Sequence, residues 1–434
     1  MSITNSITKL LNMEDNNLYF DENFYEERKI DDKRCTVIKG YLSNNFEYCP
    51  KCGCKNENTI IKKGIDVCLI KINKISEITS YLELRKQIYK CKHCNCKTTA
   101  KTNIVDFGCR ISNNVKKAVI NCAKEMMTKS QISRIYNISD NTVQNIFDSV
   151  YSSEKLYKNY LPEALCFDEF TFKKKTFAFN LCDAKTGKTI DLVEDRTILN
   201  LDKYFSYYTK EAREKVKLIV VDMYSPYIEL IKKWFPSALI IIDLFHIVQL
   251  ISKSLNKTRI DTMYMHKNDK NKFKRYWRLI LKSRLDLDVS SWKKYFCFKN
   301  LMTEADIVDY LIRKDNIFNN TYHLYQDLLY YLQHRDYNGF LNIVNSCDNI
   351  VLSNKMLTSI NTLKKYSQYI RNTLEYPFNN GVMERNNNTC KLLKRISFGF
   401  RNFRNMKSRI IIITNIFRKE KRDYYTKYNN PKYS

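Results

Sequence analysis

Three carboxylates and four thiols stand in settings that suit chemistry. Asp222 ends an apolar run in Val216–Tyr227 (VKLIVVDMYSPY), Asp168 lies within Ala164–Phe172 (ALCFDEFTF), and Glu384 opens a polar helical stripe near the C-terminus. A continuous apolar run of this length reads as a strand buried on both faces. A carboxylate at its end sits at the sheet edge where open α/β folds bind ligands. Carboxylates held together repel, and a proton or a metal relieves the repulsion. Hard oxygen ligands at an open edge suit Mg2+ or Mn2+, and two such ions can clamp the attacking and leaving oxygens of an in-line phosphoryl transfer. The thiols Cys49, Cys52, Cys91 and Cys94 form two CxxC knuckles, CPKCGC and CKHCNC, that together can complete one tetrahedral structural zinc site. Cys54 and Cys96, two residues after each knuckle, are the alternative ligands.

These residues need elements to hold them. Residues 53–90 separate the knuckles, a long gap for a zinc ribbon, so an extended hairpin built on strands such as Asp66–Ile72 and Tyr81–Tyr89 must bring the knuckles together. For the carboxylates, the order is three antiparallel strands (Ala164–Phe172, Thr176–Cys182, Thr189–Val193), a helix near Asp202–Glu214, strand Val216–Asp222, a helix near Tyr227–Trp234 and strand Ala238–Asp243. This β-β-β-α-β-α-β order is that of an RNase H-like domain, in which the first and fourth strands are neighbours and Asp168 and Asp222 converge. Glu384 is the best third carboxylate. A helix capped by Asn380 and running to Arg395 aligns Glu384, Asn388, Lys391 and Arg395 on one face, with Val382, Thr389, Leu393 and Ile396 facing the core. Asp243 and His246, beside Asp222 in the order of elements, compete with Glu384 or support the site; a structural role is the commoner fate of such a His.

Between the cysteines and the strands, Ser130–Tyr136, capped by Ser130, and Asn141–Val150 read as a helix-turn-helix. Val143, Ile146, Phe147 and Val150 face inward, and Asn141, Thr142, Gln144 and Asn145 face outward to read bases. Any small helical bundle gives the same pattern. The C-terminal LKRISFGFRNFRNMKSR interleaves Arg395, Arg401, Arg404 and Arg409 with phenylalanines, a pattern that suits phosphates and bases. Lys and Arg total 74 against 46 Asp and Glu, a net +28 that suits a polyanionic partner, although an AT-rich coding sequence also inflates Lys, Asn, Ile and Tyr. No run is long and apolar enough to span a bilayer and no leader pattern is present, so a cytoplasmic, nucleoid-associated protein without a membrane is expected. Fifteen cysteines in a reducing compartment are thiols or metal ligands rather than a disulfide framework.

The expected organisation is an α/β RNase H-like catalytic core with an all-helical insertion, preceded by a zinc ribbon and a helix-turn-helix domain. It comprises an N-terminal arm of weak periodicity (1–34), a zinc-ribbon domain (35–110), a helix-turn-helix domain (111–160), the first part of the core (161–257), the insertion (258–375), and the C-terminal part of the core with a basic tail (376–434).

Four segments, CPKCG with YKCKHC, FDEF, VVDMYSPY followed by FPSALIIIDLFHIVQ, and FNNGVMERNNNTCKLLKRISFGFRNF, resemble the DDE transposases of the ISL3 family of bacterial insertion sequences. The resemblance runs from about Cys49 to Ile413. It implies that Asp168, Asp222 and Glu384 are catalytic and bind two Mg2+ (or Mn2+), and that the cysteines hold one structural Zn2+. The partners it implies are the element's terminal inverted repeats and target DNA, bound by a homodimer or higher multimer. The implied reaction is strand cleavage exposing a 3′-OH, then strand transfer. Arg385 stands where the family has glycine. A DNA-binding protein with an inactive core and a structure-selective nuclease are the rival readings. Trp277 and Trp292 of the insertion are candidates for holding a flipped base, although a core aromatic explains either as well.

Overall fold

Hydrophobic periodicity sets up two sheets and a set of helices, and a computed structural model describes residues 3–153, 158–173, 176–378 and 381–416. The chain clusters into two compact units, residues 1–155 with 393–434, and residues 156–392.

In the first unit, strand β1 (Lys33–Leu42) pairs in parallel with β3 (Ile78–Cys91), which pairs antiparallel with β2 (Ile60–Ile75). The long β2–β3 hairpin is the one expected from the cysteine spacing. Alternation along β3 buries Leu82 and Leu84 against Ile70 and Ile72. The first thirty residues, expected as a poorly ordered arm or a short helix, do contain a short helix and add a strand to it. They contribute the helix Ile3–Leu10 and the strand Tyr25–Ile30, which pairs with β1, while Ile7, Leu18 and Phe20 enter the same core.

Helices α1 (Asn113–Lys124), α2 (Lys129–Tyr136) and α3 (Asp140–Ser153) follow. Thr128, not Ser130, caps α2: its hydroxyl accepts from Gln131 N, and the Gln131 side chain returns to the Thr128 N–H in a capping box. Asn137 ends α2 in the left-handed conformation (φ 49°), and Ser139 accepts from Thr142 N at the start of α3. Val115, Val119, Ile132, Val143, Ile146 and Phe147 form the core of this trio.

The second unit contains a five-stranded sheet built from β4 (Ala164–Lys173), β5 (Thr176–Asp183), β6 (Thr189–Val193), β7 (Leu218–Val221) and β8 (Leu239–Ile242). Its strand order is β8-β7-β4-β5-β6, with β4, β7 and β8 parallel and β5 antiparallel to both of its neighbours, β4 and β6, as in RNase H-like domains. One face is aromatic: Phe167, Phe179, Phe205 and Phe235 are fully buried, with ring centroids 5.2 Å apart for Phe167–Phe179 and for Phe205–Phe235. Burial of each such side chain stabilises by roughly 1.5–3 kcal/mol. Helix α4 (Ile198–Ser206) supplies Phe205, α5 (Ser225–Trp234) packs against the same cluster, and α6 (Leu244–Met265) runs on from β8. Residues 258–375 are mainly helical, with one short hairpin, Lys293–Lys294 against Leu301–Met302, that alternation did not announce.

Helix α7 (Gly381–Ile396) spans the expected range, but its expected cap, Asn380, lies outside the described residues. Its buried face is Met383, Asn386, Asn387, Cys390 and Leu393; of the expected Val382–Thr389–Leu393–Ile396 stripe only Leu393 is buried, and the other three are half-buried. The inward face is half polar, so a purely hydrophobic reading chose the wrong phase. The segment 376–434 also divides: residues up to Leu392 cluster with the sheet, and Leu393 onward with the first unit. There, helix α8 (Phe403–Ile411) and Ile412 complete the core of α1–α3.

Candidate active site

Three neighbouring parallel strands place a carboxylate at the same end and on the same face of the sheet. Along β4, Ala164 and Cys166 share one face, and by alternation Asp168 follows on it. Leu218 and Val220 lead to Asp222 in the same way, and Ile241 leads to Asp243. The β4–β7 register pairs Val220 with Cys166, so two residues further on Asp222 stands level with Asp168. Asp222 and Asp243 follow the C-terminal ends of β7 and β8, where α/β sheets bind ligands, and Asp168 lies mid-strand in the longer β4, just past the end of its pairing with β7.

Burial, and next the charge of Asp222, push the Asp168 carboxyl up to about 7. The Asp222, Asp243 and His246 side chains bring ligand atoms within 4.8 Å of one another. His246 Nε2 lies 3.1 Å from Asp222 Oδ1 and 4.0 Å from Asp243 Oδ2. The hydrogen bond to Asp222 holds the imidazole pKa above its ordinary value. Oxygen donors of like charge converging at an open edge are what a hard divalent cation needs, so the residues fit such an ion.

Asp168 is held from behind by a buried amide relay. Asn180 Nδ2 donates to Asn387 Oδ1 at 3.0 Å, and Asn387 Nδ2 donates to Asp168 Oδ2 at 2.6 Å. The Glu169 N–H donates to Asp168 Oδ1 at 2.6 Å. One residue before Asn387, Asn386 donates to Gly187 O at 3.1 Å and approaches Cys182 Sγ at 2.9 Å, pinning α7 to the sheet. Neither Asn386 nor Asn387 is apparent from sequence; the run Asn386-Asn387-Asn388 is the only signal, and the outward Asn388 is the one that reads as functional.

A cleft of about 540 Å³ opens over the acids and is lined by Asp168, Asp222, His246, Arg196, Lys253 and Lys391, among others. Arg196 is ion-paired with Glu169, which also accepts from Tyr227 Oη at 2.7 Å. Glu384 does not line this cleft. It borders a separate shallow hollow with Gly381, Arg385, Asn388, Thr389 and Leu392. Glu384 is nevertheless on the helical phase of Asn387 and Lys391, at i+3 and i+7, with Lys391 roughly 10 Å further along the axis.

In the first unit, the Sγ atoms of Cys49, Cys52, Cys91 and Cys94 lie within 4.8 Å of one another. Cys49–Cys94 is 3.8 Å and Cys52–Cys91 is 3.9 Å. A tetrahedron with Zn–S bonds of about 2.3 Å has edges of about 3.8 Å, so these thiols fit a structural zinc site. The two knuckles are the same turn built twice. The N–H groups of Cys49 and Cys91 donate to the carbonyls of Cys54 and Cys96, and Gly53 and Asn95, at matching positions, both take positive φ (72° and 57°). The backbone N–H of Cys94 is the main influence that lowers the Cys91 thiol to about 6, favouring the thiolate that metals bind. Cys54 Sγ also lies 3.5 Å from Cys91 Sγ, whereas Cys96 stands outside the cluster.

Of the helix-turn-helix residues, Asn141 and Asn145 are exposed and Thr142 and Gln144 half-buried; Gln144 Nε2 is tied to Asp148 Oδ1 at 2.9 Å. Asn388, Lys391, Arg395, Arg401 and Arg404 are all exposed. Trp277 and Trp292 are 38% and 61% exposed, so neither is a core aromatic.

The sheet topology and the edge carboxylates define an RNase H-like domain with a metal-compatible acidic site. Residues 165–410, more than half of the chain, match the family model described as "Transposase", and residues 100–151 match "Helix-turn-helix domain of transposase family ISL3". The chain belongs to the ISL3 transposase family. It is also 40% identical over 111 residues to a protein of Lactococcus lactis subsp. lactis that bears the name "ATP-dependent protease"; the match covers 26% of this chain and 35% of that protein, so the chain spans about a third of the relative's length.

Proposed function

We propose that this protein is a metal-dependent DNA transposase of an insertion sequence. The reading rests on one observation above all: in a chain of the transposase family, carboxylates from parallel strands meet at one sheet edge, under a cleft carrying Arg196, Lys253 and Lys391. Asp168 and Asp222 are the metal ligands, and Glu384 is the third, supported by the family resemblance and by its phase on α7. Mg2+ or Mn2+ held by these carboxylates would supply Lewis-acid activation of the attacking water or 3′-OH and stabilise the leaving oxygen, two ions being the expected number. His246 and Asp243 orient Asp222, and Asn387 orients Asp168. Lys391 and Lys253 hold the scissile phosphate by charge. Asn141, Thr142, Gln144 and Asn145 read the terminal inverted repeats, while Asn388, Arg395, Arg401 and Arg404 contact the DNA backbone. The division into zinc ribbon, helix-turn-helix, core and insertion carries these tasks. Cytoplasmic, nucleoid-associated action as a homodimer or larger multimer on paired DNA ends follows from the same reading, and no helix among the described residues is long and apolar enough to cross a membrane.

Asp222→Ala should lower cleavage of duplexes carrying the flanks of its own gene by at least about 10³-fold, with duplex binding intact. Full cleavage by that variant would remove the site. Arg385 is exposed beside Glu384 and gives one observation for an inactive core, which requires specific binding with no metal-dependent nicking by the native chain. Glu384→Gln against Asp243→Asn separates the candidates for the third ligand.

A further inference from the structure

The basic C-terminal segment does more than carry charge: it inserts an arginine into the helix-turn-helix. Arg409 of α8 is only 4% exposed. Its guanidinium stacks on Phe147 of α3, 4.7 Å from the ring centroid, and Nη2 donates to the Met127 carbonyl. Its Nη1 is buried with no hydrogen-bond partner, and among the described residues no carboxylate lies within ion-pair distance. A buried cation left without an anion is costly, so such groups are ordinarily paired. Burial alone pulls this guanidinium down to about 10.

Arg409 lines a cleft of about 1090 Å³ within the first unit. One wall is the first turn of α2 from Thr128 to Gln131, whose dipole favours an anion; the other is the turn after α7, from Ile396 to Asn402. Lys129, Arg134 and Arg401 add positive charge against Glu125 and Asp140. At the rim, Phe398 is 99% exposed in the left-handed region (φ 51°), followed by Gly399 (φ 93°). This is the left-handed cap that ends α7, closed by the Gly399 N–H donating to the Lys394 carbonyl at 2.8 Å, and it holds the Phe398 ring outward. A ring held in solvent beside a cationic cleft is suited to the sugar and base faces that accompany a phosphate.

We propose that this cleft binds a backbone phosphate of duplex DNA through Arg409, so that α8 and the Phe398–Gly399 turn form a second DNA-contacting wall of the helix-turn-helix. The inference rests on the DNA-binding part of the function proposed above and not on its catalytic part. The bound phosphate supplies the anion that Arg409 lacks, and it fixes the duplex relative to the start of α2. The helix-turn-helix is then incomplete as a DNA-binding unit without residues from the far end of the chain.

The test is binding of a labelled 30-base-pair duplex of mixed sequence by the full chain, titrated at several salt concentrations without added divalent cation. Arg409→Met keeps the length of the side chain and removes the charge. It is expected to melt no lower than the native protein, to bind the duplex about tenfold more weakly, and to reduce the slope of log K against log salt by about 0.9. Lys129→Ala, on the opposite wall at the first turn of α2, should move affinity and slope the same way and covers the case in which Arg409→Met does not fold. Unchanged affinity and slope in the folded variants would overturn the proposal. So would stabilisation of the native chain by inorganic phosphate, lost in Arg409→Met, alongside unchanged duplex binding, since the site would then serve a small anion. Loss of cleavage in Asp222→Ala leaves this outcome untouched, so the two readings fail separately.

Discussion

The cysteine cluster and the carboxylate cluster are both built to hold metal, and they differ in how the chain prepares its ligands. The four thiols stand on two copies of one backbone turn, closed by Cys49 N to Cys54 O and Cys91 N to Cys96 O, with distances that already match a tetrahedron. Backbone N–H groups help the Cys91 thiol to ionise. The carboxylates are held in opposition: Asp168 is half-buried and level with Asp222, and burial first, then the Asp222 charge, lift its carboxyl to about 7. Neighbouring thiols and burial push Cys52 up to about 11 and Cys94 up to about 12, so each cluster opposes full ionisation of its ligands until a cation arrives. The difference is that the thiols already stand at tetrahedral distances, whereas Asp168 is raised chiefly by burial.

Removing one thiol gives the largest expected effect. Cys91→Ser should take bound zinc from about one equivalent per chain to none and leave the β2–β3 hairpin open to protease, while the second unit keeps its metal response. Cys96→Ser should keep the zinc. If Cys96→Ser lost it and Cys91→Ser did not, the ligand set would have to change. Next comes the relay behind Asp168. Asn387→Ala leaves every proposed ligand in place and should cost about 10–100-fold in metal affinity or cleavage rate, as losses of groups that orient ligands do. An unchanged rate would show that Asp168 needs no such hold.

The smallest effect is one of pH. The Asp168 carboxyl is protonated well above its ordinary value of 3.8, so a metal must displace a proton below about pH 7. Apparent Mn2+ affinity should rise about tenfold per pH unit towards 7 and then level off. In metal-free protein the sign for stability is the reverse of that for a salt-bridged Asp: its contribution falls as pH climbs from about 4 through 7, because the folded state then loses a proton it favours. A flat affinity profile between pH 6 and 8 would contradict the raised Asp168 carboxyl.

Much of this was legible in the chain. The apolar runs before Asp168 and Asp222, the turn between β5 and β6 and the CxxC echo each carry a local signal, and the sheet order followed from the sequence of elements. The phase of α7 was not legible, because Asn386 and Asn387 are buried for their hydrogen bonds and hydrophobic periodicity does not count amides. The partner of α8 was half hidden: LKRISFGFRNFRNMKSR reads as a segment for phosphates and bases or as a charged helix with a core-packing tail, and only tertiary packing shows that the tail packs and turns Arg409 inward. The capping of α2 by Thr128 was missed because Ser130 also suits the role, and the reciprocal bond from Gln131 decides between them.

The pairing of Asp168 and Asp222 as one metal site is tested most directly by titrating Mn2+ into zinc-loaded protein at pH 8 and following bound manganese by paramagnetic resonance. The native chain should bind Mn2+, and Asp222→Asn should lose at least about tenfold in affinity while retaining its zinc. Equal Mn2+ affinity in the two proteins would contradict the assignment of Asp222 and, with it, the paired site.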